Sequence, residues 1–385
     1  MADTAAPSGD PFRRDVSSGL NLGLLRLVRR PPAVLWTGAH GMAVIKTGSL
    51  GFAGAAEGDR VRYLNSFRRL LDGLDGPLQV VIDVAPGSGN EMAGHVSPLD
   101  FDDMRAADMS FVDHVAQSPT AHRFETSLIT PEAHVKRLEP ALLEIGVPFE
   151  LRPLITDAGV GEELAHRYLH AGGHSRTWYV ERLPGTELEA GWLYRLLPPG
   201  LRLKLSWHAS PLPVAWIVDY LQRQLINMRA TRLLEHDAGT ADPILAGAVP
   251  NTEDLQRRLA SSQDKAFHVA LYITLTSPSP DELAAASIKV EAAARGILCQ
   301  LQPCTFRMFD GYLATQPVGV DRLEHKRVLD TSALLTFFPW LEPDLKQPGG
   351  LAVGRSLATG IPVLVDPFDQ HCYTNANIGV FGHSG

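Results

Sequence analysis

The 385-residue sequence predicts an α+β protein. Three observations carry that expectation. FHVALYITLTS, from Phe267 to Ser277, places Phe267, Val269, Leu271, Ile273 and Leu275 on one face of a strand. SPDELAAASIKVEAAARG, from Ser279 to Gly296, reads as a helix with its start and stop signals in place. Ser279 is the cap, Pro280 the first helical residue and Glu282 the capping-box partner, and Gly296 is expected at the left-handed C-terminal position. ILCQLQ follows as a second strand, so the three segments predict a split β-α-β unit.

Earlier elements follow the same mixture. MAVIKTGSLGFAG predicts two short strands about Thr47-Gly48. Val61, Leu64, Phe67, Leu71 and Leu74 recur at helical spacing, and Gly76-Pro77 is the expected stop. LQVVIDV, Leu78 to Val84, reads as a buried strand. Loop-rich chain is expected next, including APGSGN, followed by a strand in RFETSLIT. Glu132 to Ile145 is helical in pattern, with Gly146 as its stop and Pro140 expected to kink or divide it. After LPPG, LRLKLSW alternates as a half-buried strand. A helix is expected from about Val214 to Glu235, and Asn251 is the expected cap of another over TEDLQRRLASS. From Pro339 the texture turns rich in Pro and Gly, which marks a domain boundary. The resulting divisions are a flexible tail over 1–30, an α+β subdomain over 31–200, a second over 201–345 and the start of a further domain over 346–385.

Composition narrows the classes of function. Net charge is −8, with 45% hydrophobic and 20% charged residues. Short Arg clusters such as Arg29-Arg30, Arg68-Arg69 and Arg257-Arg258 make no continuous basic stripe, so direct nucleic-acid binding is not expected. Three cysteines, Cys299, Cys304 and Cys372, lack the paired spacing of a disulfide framework or zinc site. No apolar run approaches the roughly 20 residues of a membrane span. A cytoplasmic protein is the expectation. His166, His170 and His174 would share a face if one helix carried all three, but Gly172-Gly173 breaks that helix and disfavours a zinc site. Trp192, Tyr194, Trp207 and Trp216 have apolar or Pro-rich surroundings, so packing is expected of them rather than base stacking.

The sharpest candidate chemistry is the C-terminal NANIGVFGHSG. A Walker A loop needs G-x-x-x-x-G-K-[ST] after a buried strand, because backbone N–H groups wrap the phosphates. NIGVF supplies the strand, and Gly382, His383, Ser384 and Gly385 supply the first four loop positions. The second Gly, the phosphate-neutralising Lys and the Mg²⁺-holding Ser/Thr are not in the sequence, so no hydrolysis is expected of this chain.

Four segments in order carry a resemblance: MRATRLLEH, FRMFDGYLATQPVG, VLDTSALLTFFPW leading to GGLAVGRSLATGIPVLVDPF, and NANIGVFGHSG. Over roughly residues 200–385 this series resembles the region ahead of, and entering, the motor of VirB/TraC-type conjugative-transfer (type IV secretion) ATPases of the HerA/FtsK group. The resemblance implies that the chain is the N-terminal assembly and docking region of such an ATPase, with residues 346–385 as the first strands of a truncated RecA-like P-loop domain. It implies Gly382, Ser384 and Gly385 as phosphate-loop positions, and ATP with Mg²⁺ as cofactors of the intact parent. It also implies inner-membrane apparatus components as partners, self-association of the intact protein and a peripheral place at the cytoplasmic face of the inner membrane. A stand-alone cytoplasmic scaffold without nucleotide chemistry is the alternative.

Overall fold

The computed structural model describes residues 41–48, 50, 52, 55–86, 97–116, 122–154, 161–184, 188–238, 243–261, 264–340, 350–355, 362–370, 375 and 377. The first elements are β1 (Met42–Thr47), α1 (Glu57–Asp72), β2 (Leu78–Pro86), α2 (Asp102–Ala116), β3 (His122–Pro131), α3 (Glu132–Ile145) and β4 (Phe149–Arg152). β3 pairs antiparallel with both β1 and β2, and β1 also pairs antiparallel with β4. The order is therefore β4-β1-β3-β2. With α1 and α3 as the crossovers, this is the split β-α-β arrangement of a ferredoxin-like unit, interrupted by α2.

The same plan then recurs. β5 (Glu162–Leu164) and β6 (Arg167–His170) lead into β7 (Gly173–Arg182). A short 3-10 helix, Trp192–Leu196, precedes β8 (Arg202–Pro211). α4 (Val214–Ala238) and α5 (Pro243–Ala260) follow, then β9 (Ala266–Ser277), α6 (Pro280–Gly296) and β10 (Gln300–Pro303). β7 lies between β9 and β10, antiparallel to both, and β8 flanks β9. The order β10-β7-β9-β8 repeats that of the first unit, with the 3-10 helix standing where α1 stood. The expected split β-α-β unit is present as β9-α6-β10.

The two units join through their second strands. β2 and β8 pair antiparallel, from Leu78 opposite Ala209 to Val84 opposite Leu203. A single sheet therefore crosses both repeats, and the boundary expected at residue 200 falls between β7 and β8, which belong to one repeat. The chain is also interrupted at the same connection in each: α2 lies between β2 and β3, and the α4–α5 pair between β8 and β9. Because β2 and β8 are antiparallel, these two connections leave the sheet at opposite ends.

Strand alternation sets the core. Leu78, Val80, Ile82 and Val84 of β2 share the helical face with Leu203, Leu205 and Trp207 of β8 and with the odd-numbered residues Phe267 to Leu275 of β9. Phe67, Leu70 and Leu71 of α1, Leu138 and Leu142 of α3, and Leu283 and Val290 of α6 cover them. After β10 the chain forms α7 (Met308–Ala314), β11 (Arg327–Asp330) on β9, and α8 (Thr331–Leu335). Phe337, Phe338 and Trp340 then enter the helical-face core. Phe338 and Trp340 meet Phe67 edge-on, at 5.4 and 5.6 Å between ring centroids. A separate hairpin, β12 (Leu351–Arg355) with β13 (Pro362–Val365), packs on α2, where the Ala352 N–H donates to Asp108 Oδ1 at 3.2 Å.

Several local expectations are corrected. Among the described residues β1 pairs with β3 and β4 and with no strand directly after Thr47. α1 stops at Asp72, before Gly76. α2 lies in chain expected to be loop, where its mixed polarity gave little helical contrast. α3 runs unbroken through Pro140, while Gly146 takes the expected left-handed conformation at φ 82°. Asn251 lies inside α5, which begins at Pro243. Ser279 caps α6 as expected, accepting from Glu282 N at 3.3 Å, but the left-handed residue beyond it is Leu298 (φ 58°), not Gly296. The described residues show a mixed α and β chain whose main sheet is antiparallel throughout its pairings. The RecA-like start expected over 346–385 is described only as the β12–β13 hairpin.

Candidate functional site

The alternation that sends apolar side chains to one face sends polar ones to the other. Ser175 and Thr177 of β7, Lys204, Ser206 and His208 of β8, and Tyr272, Thr274 and Thr276 of β9 lie on the second face. Gln79 joins them from β2. Covering this face is a strap, α7 and the chain to Lys326, which includes FRMFDGYLATQPVG.

The strap is held by an apolar cluster, in which Met308, Ala314 and Leu323 pack with Tyr168, Ala270 and Tyr272, and by hydrogen bonds. Gln79 Nε2 lies 2.9 Å from Ser206 Oγ, 3.1 Å from Ala314 O and 2.8 Å from Gln316 O, and Gln79 Oε1 accepts from Gly319 N at 2.6 Å. His208 Nε2 donates to Ala314 O at 2.8 Å. Thr274 bridges Thr177 and Thr315 at 2.7 and 2.8 Å. The Tyr272 hydroxyl donates to Asp321 Oδ1 at 2.8 Å, and that oxygen also accepts from the N–H groups of Leu323 and Glu324. Burial, reinforced by the Asp321 charge, pushes the Tyr272 hydroxyl well above its ordinary pKa. Burial pushes the His208 imidazole down, against the opposing pull of Asp321. Both groups therefore stay neutral and keep their hydrogen-bonding roles at pH 7.

His170, at the edge of the strap, forms the most enzyme-like contact. Its Nε2 is 2.7 Å from Ser175 Oγ, which lies 2.8 Å from Thr276 Oγ1. Gly172 N donates to Nδ1 at 3.0 Å, so the ring proton sits on Nε2 and is donated to Ser175. A general base must accept the serine proton, and this ring gives one instead. Burial, then the charges of Lys204 and His174, lowers the His170 pKa to about 4. The pair works as a neutral latch on the β6–β7 hairpin. The three histidines do not share a helix: they occupy a turn (His166), β6 (His170) and β7 (His174), and Gly172-Gly173 lies at the turn between the last two. No metal-binding cluster of His, Cys, Asp or Glu occurs among the described residues.

A second polar centre joins the repeats at the opposite end. The Asp264 carboxylate, 2% exposed, contacts Arg68 of α1 and is 2.7 Å from Arg258 of α5. Arg258 also reaches Asp330, the cap of α8, at 3.0 Å. Thr331 Oγ1 donates to Asp72 at 3.0 Å. VLDTSALLTFFPW thus fastens α1, α5 and β9 through polar atoms and fills the core with its aromatic end.

Open concavities lie along the sheet ends. One of them, of about 610 Å³, is bounded by Pro86, Gly200, Arg202, Thr276, Glu282 and Lys289. Cys299 and Cys304 are buried thiols, raised by burial to about 11 and about 12. They are poor nucleophiles at neutral pH. Trp192 and Trp207 are core residues as expected, whereas Trp216 is 44% exposed and stacks on Tyr220 of α4 at 5.3 Å.

The expected phosphate-loop residues Gly382, His383, Ser384 and Gly385 lie outside the described residues, as do Ile378 to Phe381 of the expected strand and Cys372. The sequence reading missed Gln79, Asp264 and Asp321. Gln79 carried a usable signal: an amide inside an otherwise apolar strand must find buried partners. No family model matches the chain, and no curated protein matches it in sequence.

Proposed function

We propose that these residues are the assembly and docking region of a conjugative-transfer (type IV secretion) ATPase. What supports this reading is the role of the segments that carry the resemblance. FRMFDGYLATQPVG straps the second repeat across its polar face, and VLDTSALLTFFPW closes the helical face over α1 and passes the chain toward the β12–β13 hairpin. Both secure a sheet of two repeats to the chain that follows, as a mount for a further domain requires. On this reading ATP and Mg²⁺ belong to the motor of the parent protein, around a loop beginning at Gly382, His383, Ser384 and Gly385. The partners are inner-membrane components of the transfer apparatus.

Competition tests it. The 385-residue chain, produced in a donor cell beside the intact transfer system of its source, should occupy the docking place of the motor-bearing protein and lower conjugation frequency by about tenfold or more. An Asp264→Asn chain, with the Arg68–Asp264–Arg258 centre broken, should compete less. Unchanged transfer with the folded chain at several-fold excess would refute the reading.

A further inference from the structure

We propose that β4 is a self-pairing edge, through which a second copy of this chain extends the sheet antiparallel about a two-fold axis at Leu151. Among the described residues, β4 pairs only with β1 and its other edge is open. An open edge offers a row of N–H and C=O groups to another strand.

The geometry fixes which groups face outward. In the β1–β4 ladder Gly48 N donates to Pro148 O at 2.8 Å, which makes Gly48 and Pro148 a directly bonded pair. Two residues further along, Lys46 opposite Glu150 and Val44 opposite Arg152 are bonded pairs too. The main-chain groups of Glu150 and Arg152 are therefore spent on β1, and those of Phe149 and Leu151 point away from it.

Charge then selects one register. With Leu151 opposite Leu151 of the second copy, the two leucines exchange main-chain bonds. Each Phe149 N–H meets the Pro153 C=O of the second copy, while the reciprocal bond is lost because Pro153 has no N–H, which leaves four main-chain bonds across the axis. Glu150 falls opposite Arg152 of the second copy, and Arg152 opposite its Glu150. These are non-bonded pairs, whose side chains approach more closely. Within one chain the two charges already touch at 2.9 Å, so dimerisation builds an alternating four-charge square. The neighbouring register pairs Phe149 with Leu151 but sets Glu150 against Glu150, which repels. Leu151, 52% exposed on the helical face, gives the axis an apolar centre. The pairing does not rest on the proposed function, and a dimer without any transfer phenotype would separate the two.

Sedimentation equilibrium of the full chain tests it by charge exchange. Wild type should show a reversible dimer at low ionic strength that weakens with salt. Glu150→Arg alone and Arg152→Glu alone should each weaken it about tenfold. An equimolar mixture of the two variants should recover wild-type affinity as a heterodimer, because every opposing pair is again of unlike charge. Hydrogen exchange gives a second readout: Phe149 and Leu151 amides should gain protection with concentration, while Glu150 and Arg152 amides stay protected throughout. A wild type monomeric at about 1 mM, a mixture no tighter than its components, or a dimer that leaves Phe149 and Leu151 unprotected would each overturn the proposal.

Discussion

His170 shows how far a single side chain's surroundings decide its chemistry. Lys204 on β8 faces it with positive charge, His174 on β7 lies near it, Tyr312 of α7 packs against its ring, and Gly172 occupies Nδ1. Its folded pKa of about 4 lies below the ordinary value of 6.5, so between those values the unfolded chain binds the proton that the folded chain refuses. The contribution of His170 to stability is therefore fully present above about 6.5 and is lost as pH falls toward 4. Urea midpoints measured from pH 7 to 4 should decline for wild type and decline less for His170→Gln. Equal slopes would contradict the depressed pKa. None of this was legible in the sequence, where the spacing of His166, His170 and His174 suggested a helix face. Gly172-Gly173 signalled that no helix continues, and the turn it makes is what places His170 against Ser175.

The strap is the element for which sequence reading was least informative. Met308 to Lys326 has no sustained period, because its few apolar anchors, Met308, Ala314 and Leu323, are interleaved with groups that bond to polar atoms on the sheet. Gln79 is its central fastening. Replacing it with Leu keeps the volume but leaves the carbonyls of Ala314 and Gln316 and the Gly319 N–H without that partner. The expected cost is about 2–3 kcal/mol, since each buried group left unsatisfied costs on the order of 1–3 kcal/mol. Exchange at the Gly319 amide should accelerate in this variant while β9 amides stay protected; an unaltered Gly319 would show the strap to be held elsewhere. By contrast β2, β3, β8, β9, α1, α3, α4 and α6 were visible in the sequence: β3, β8, β9, α1 and α3 from their pattern, β2 from a continuous apolar run, α4 from its composition and α6 from its capping signals. α2 was not, and two end signals misled, Asn251 by more than two turns and Gly296 by less than one, because both residues are tolerated inside helices.

Across the whole molecule, the repeat could not be read from the chain. The two units share a strand order but no common motif, and a 3-10 helix replaces one crossover. Pairing of β2 with β8 joins residues more than a hundred positions apart, which local pattern does not encode. It also predicts how the protein melts. One core runs beneath both repeats, and the Arg68–Asp264–Arg258 centre crosses between α1 of the first and α5 of the second. Heating should give one transition by both tryptophan fluorescence and far-ultraviolet dichroism. Two separated transitions would show that the seam is weaker than the units it joins.

The antiparallel seam has a mechanical consequence. The connections holding α2 and the α4–α5 pair emerge at opposite ends of strands that, at about 3.3 Å per residue, are about 30 Å long. Load applied between them would run along β2 and β8 and shear their hydrogen bonds in parallel rather than unzip them singly. A chain built this way is a tension member: a stiff link able to carry force from one attachment to the other.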